Sequence, residues 1–88
     1  MKINDKFVLR NIYGKAILMP IKRNKITDDP IFFNPVGERI LLECGNAKSP
    51  DSLLKRIVEL YGIEDDIDSV NSVKSFIEDL ISTEIITE

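Results

Sequence analysis

IFFNPVGERILLEC, residues 31–44, joins an extended apolar run to an amphipathic segment across a single asparagine. Ile31, Phe32 and Phe33 have the branched and aromatic composition of a strand. Asn34-Pro35 is a helix start, because the Asn side chain accepts a hydrogen bond from an unpaired backbone N–H and proline at the first helical position has no needed donor to lose. The helix is predicted to run to about Cys44, with Gly45 as its stop.

Toward the N-terminus, KFVLRNIYGKAILMPIK reads as two β-rich runs around Tyr13-Gly14-Lys15. The first carries Phe7, Leu9 and Ile12; the second alternates at Ile17, Met19 and Ile21, the period of a half-buried strand. Gly14 suits the tight turn of a hairpin. Pro20 lacks a backbone donor, so the second strand is expected to be short or irregular at its end. RNKITDDP, with the basic cluster Lys22, Arg23 and Lys25, reads as a solvated connection to the third strand, Ile31 to Phe33.

Toward the C-terminus, Ser49-Pro50 repeats the helix-start punctuation. Leu53, Leu54, Ile57, Val58 and Tyr61 then form one helical face, and Gly62 ends it. Asp66 and Asp68 are alternative caps for a third helix bearing Ile67, Val70, Val73, Phe76, Ile77, Leu80 and Ile81, and the pair Ile85-Ile86 is placed to fold back on the core. Strands followed by helices predict a small α+β, winged-helix-like domain: a three-stranded antiparallel sheet followed by three helices, one domain over residues 1–88.

Composition narrows the function. The chain has 88 residues, 43% hydrophobic and 31% charged, which is the make-up of a folded domain with a thin core. Its charge is uneven: residues 1–45 hold eight Lys/Arg against five Asp/Glu, and residues 46–88 hold four against ten. A nucleic-acid reader concentrates cations on its recognition surface, whereas the third helix carries Asp68, Glu78 and Asp79 with Lys74 as its only base. A winged-helix DNA-binding regulator is therefore the alternative reading, and no nucleic acid is expected as partner. No apolar run approaches a membrane span and no basic-then-apolar leader opens the sequence, so a cytoplasmic location without membrane contact is expected.

Catalytic signatures are missing from the sequence. There is no His and one Cys, no glycine-rich phosphate loop, and no calcium-loop spacing in the acidic run at Glu64, Asp65, Asp66 and Asp68. Neither enzyme activity nor a catalytic residue, cofactor or metal is expected. Cys44, beside Ile40 and Leu41, reads as a buried structural thiol, and the acidic run as helix capping.

Two features suggest a binding role. The third strand has one evident partner, so its other edge would present unpaired N–H and C=O groups. The apolar positions of the third helix spread over an arc of roughly 180°, wider than the ~100° stripe that covering a core requires. Such an edge beside such a helix would make a cleft for an extended peptide, or for a second copy of the chain joined as a homodimer through the same edge.

The ordered set FVLRNIYGKAILMPI, IFFNPVGERILLECG, SLLKRIVELYGI and SVKSFIEDLISTEII resembles the PqqD-like proteins, whose fold recurs as the RiPP recognition element of ribosomal peptide biosynthesis. The resemblance covers most of the chain; Gly37 and Glu38 stand where small apolar residues are common in the family. It implies a non-catalytic peptide chaperone that captures the leader segment of a precursor peptide as an added strand beside strand three and presents it to a modifying enzyme, often a radical SAM protein. Carried over by position, the peptide-binding residues would be Asp29, Ile31, Phe32 and Phe33 on the strand and Val73, Lys74, Ile77, Glu78 and Ile81 on the third helix.

Overall fold

The computed structural model describes residues 1–21 and 29–87; the cluster Lys22, Arg23 and Lys25 lies outside them. The elements run β1 (Lys2–Ile3), β2 (Phe7–Ile12), β3 (Lys15–Pro20), β4 (Ile31–Phe33), α1 (Pro35–Glu43), a 3₁₀ turn (Cys44–Asn46), α2 (Pro50–Tyr61), α3 (Ile67–Ser82) and β5 (Ile86–Thr87). Strands β2, β3 and β4 form an antiparallel sheet in that order, with β3 in the centre. The predicted α+β architecture, a three-stranded antiparallel sheet and three helices, is the one observed.

The register puts Phe7, Leu9, Ala16, Leu18, Ile31 and Phe33 on one face of the sheet and Val8, Arg10, Ile17, Met19 and Phe32 on the other, since paired residues share a face. The first face carries the core, where Leu18 is wholly buried and joins Ile40, Leu41, Leu53, Ile57 and Ile77. This corrects the face assigned to β3. Ala16 and Leu18 are buried, Ile17 and Met19 only half so, and Ile21 is exposed. Both faces of the strand are apolar, so alternation alone did not discriminate between them. Pro20 is tolerated at the end of the central strand because β4 pairs only with residues 16–18; at Pro20 the ladder continues toward β2 alone.

The helix starts follow the chemistry read from the chain. Asn34 Oδ1 accepts the Gly37 N–H at 2.7 Å. Ser49 and Ser52 cap α2 reciprocally, each backbone N–H donating to the other hydroxyl. Gly62 closes α2 with φ of 61°, a left-handed conformation that favours glycine. Asp66, rather than Asp68, caps α3 by accepting from the Ser69 N–H. Helix α1 ends at Glu43, and Cys44 opens the 3₁₀ turn.

A second, two-stranded ribbon was not foreseen. Strand β5 pairs with β1, setting Lys2 opposite Thr87 and Ile3 opposite Ile86. It carries Ile85 and Ile86 into the core, as their apolar character anticipates. No helix among the described residues is long and apolar enough to cross a membrane.

Candidate functional site

Strand β4 is an edge strand. Among the described residues its only strand partner is β3, so the outward-directed backbone groups of Ile31–Phe33 have no ladder to join. Ile31 and Phe33 lean into the core, while Phe32 stands on the opposite face with 68% of its surface exposed, in a row with Ile17 and Arg10.

Next to the end of β4 opens a cleft of about 470 Å³. One wall is the first turn of α1, from Asn34 through Val36 and Gly37 to Ile40; the other is the first half of α3, from Asp68 through Ser69, Ser72 and Val73 to Phe76; Tyr61 and Ile63 close one end. A shallower groove of about 560 Å³ continues along α3, sharing Asp68, Ser72 and Phe76 and adding Asn71, Ser75 and Asp79. The strand and the helix meet through two rings, Phe33 and Phe76, whose centroids lie 6.2 Å apart edge-to-face at 72°. Gly37 makes this junction possible. A Cβ on it would sit 2.9 Å from Phe33 Cδ1 and 3.2 Å from Phe76 Cζ, closer than packed carbon atoms approach.

The predicted helix residues are divided by this geometry. Val73 lines the cleft. Lys74, Ile77 and Glu78 do not join it; they line a smaller groove of about 210 Å³ with Pro50, Asp51 and Leu54 at the start of α2. Ile77 is buried in the core and Ile81 packs half-buried against it. The margin of α3 that lines the cleft is formed by Ser69, Ser72, Val73 and Phe76, beside the face that buries Val73, Ile77 and Leu80 in the core, and Phe76 meets Phe33 there. Asp29 lies exposed just before β4. Ser72 and Phe76, spaced i, i+4 beside Val73, share the margin that lines the cleft, a spacing that does not set it apart from the opposite margin. Asn34, Gly37 and Tyr61, which the sequence marks as cap, helix and core-face residues, also line the cleft.

Electrostatically the site is neutral to acidic. Hydrogen bonds from the Ser69 side chain, and then from its backbone N–H, hold the Asp66 carboxyl below its ordinary range, which keeps the cap ionised at the mouth of α3. Away from the cleft, Asn46 and then Arg56 lower Glu43 in the same way. Burial raises the Cys44 thiol, whose Sγ donates to the Leu41 carbonyl at 3.1 Å. A protonated, enclosed thiol is a poor nucleophile. Cys44 is therefore expected to resist a disulfide reagent such as DTNB under native conditions and to react promptly in denaturant; fast native labelling would contradict its placement.

No family model matches the chain, and neither a curated protein nor a solved structure matches it.

Proposed function

We propose that this protein is a non-catalytic peptide-binding module that captures the leader segment of a ribosomally made precursor peptide as a strand added to β4, and presents it to a modifying enzyme, with radical SAM enzymes the first class to examine. The observation that carries the reading is the juxtaposition of an edge strand with no further strand partner among the described residues and an apolar cleft between α1 and α3. An extended peptide on that edge would gain backbone hydrogen bonds from Ile31–Phe33, and alternate side chains would have an apolar hollow to enter. Val73 and Phe76 supply the helical wall, Ser72 offers a hydroxyl that can bond to peptide groups passing over it, and Ser69, whose hydroxyl donates to Asp66, can still accept a peptide N–H.

The test is titration of ¹⁵N-labelled protein with synthetic peptides covering the N-terminal parts of short open reading frames encoded beside its gene. One such peptide is expected to bind with micromolar or tighter affinity, moving the amides of residues 29–34 and of Ser69, Ser72 and Phe76, while the protein alone leaves the peptide chemically unchanged. Tight binding with the amides of 29–34 unmoved would exclude strand addition, and turnover of the peptide by the protein alone would exclude a purely binding role.

A further inference from the structure

The charge along α3 says which peptides such a site would prefer. Asp68 stands at the rim of the cleft and in the groove that continues from it, and Asp79 closes that groove at its other end. Among the described residues no Lys or Arg lines either hollow. Among the described residues the ion pairs are Lys2–Asp5 and Arg56–Glu43, both elsewhere, so neither Asp68 nor Asp79 has a cationic partner among those residues. The acid at position 66 already caps α3; Asp68 and Asp79 are not needed for that task, and Asp79 lies near the C-terminal end of the helix, where a negative side chain opposes the dipole.

We propose that the captured peptide is cationic: a bulky apolar residue enters the hollow beside Val73 and Phe76, and Lys or Arg side chains on either side of it face Asp68 and Asp79. The inference rests on the strand-capture reading and adds to it the chemistry of the ligand. Eleven residues of helix, from 68 to 79 in the sequence, correspond to roughly 16 Å of rise. One cation cannot serve both carboxylates; an extended segment advancing about 3.3 Å per residue covers that distance in about five residues. The apolar anchor then falls between two basic positions. An acidic peptide of the same shape would meet two unpaired carboxylates along its path, so the arrangement rejects as well as attracts.

Two synthetic peptides make the test: both share one Phe-centred core rich in β-branched residues, flanked on both sides by Lys in one and by Glu in the other. In low salt the Lys-flanked peptide is expected to bind about fivefold or more tighter, the combined effect of two exposed ion pairs. That advantage should shrink in ~1 M salt, where screening acts within about 3 Å, and should vanish in the double variant Asp68→Asn, Asp79→Asn while the Glu-flanked peptide gains. Both positions are exposed on the helix surface, and circular dichroism checks that the variant keeps its fold. Equal affinity for the two peptides, or an advantage for the Glu-flanked one, overturns the charge preference and leaves strand capture standing. Failure of both peptides to bind, with the amides of Ile31–Phe33 unmoved, overturns the preference together with the reading on which it rests.

Discussion

Leu18→Ala is expected to lower the melting temperature by roughly 10–30 °C. Leu18 sits on the central strand with no exposed surface, enclosed by the sheet and the helical layer. Removing a fully buried leucine forfeits its transfer free energy and leaves a cavity, a loss of about 2–5 kcal/mol. A small domain holds only about 5–15 kcal/mol in all, and each kcal/mol moves its midpoint by about 4–8 °C. Phe32→Ala on the adjacent strand is the control. That side chain is mostly in water, so its truncation should shift the midpoint by only a few degrees. A Leu18→Ala protein that melts with the parent would mean that the buried face of β3 is not the one carrying residues 16 and 18.

If the cleft takes a peptide as proposed, Gly37→Leu should reduce that affinity at least tenfold while the protein remains folded. The position is already filled to contact: the added Cβ alone would press on the rings of Phe33 and Phe76 and on Asn34 Oδ1. Relief requires that the rings part or that α1 lift from β4. Either movement closes or distorts the hollow and disturbs the cap that Asn34 makes with the Gly37 N–H. Overpacking of this kind costs about 1–3 kcal/mol, partly offset by the better helix propensity of leucine over glycine. The measurement is a peptide titration beside a thermal melt, with the ring resonances of Phe33 and Phe76 as a local report. Unchanged affinity alongside displaced rings would separate the cleft from the binding event.

Local chemistry was the legible part of this fold. Asn34, Ser49 and Gly62 announce helix ends through side-chain acceptors and a left-handed backbone, effects that act within a few residues and need no tertiary partner. The ribbon was illegible for the opposite reason: β1 and β5 have two residues each, too few to show a period, and exist because distant parts of the chain meet. The orientation of α3 was half legible. Its apolar positions cover about half the circumference, so spacing admitted either margin as the wall of the cleft. The Phe33–Phe76 contact marks the margin that faces the cleft, and a ring pair across two elements leaves no trace in the spacing of either one. On the strand the period of two puts Phe32 on the opposite face from Ile31 and Phe33, as the register has it.

The clasp between Lys2–Ile3 and Ile86–Thr87 bears on how the chain reaches its native form. Closing a loop costs entropy that grows with the logarithm of its length, about 0.6 kcal/mol for each doubling, and residues 4–85 lie between these two segments. The β2–β3 hairpin, joined by a tight turn, can zip within microseconds; the clasp joins segments far apart in sequence and closes a much longer loop. Until it shuts, the apolar surface that Ile85 and Ile86 bury in the folded structure stays open to water.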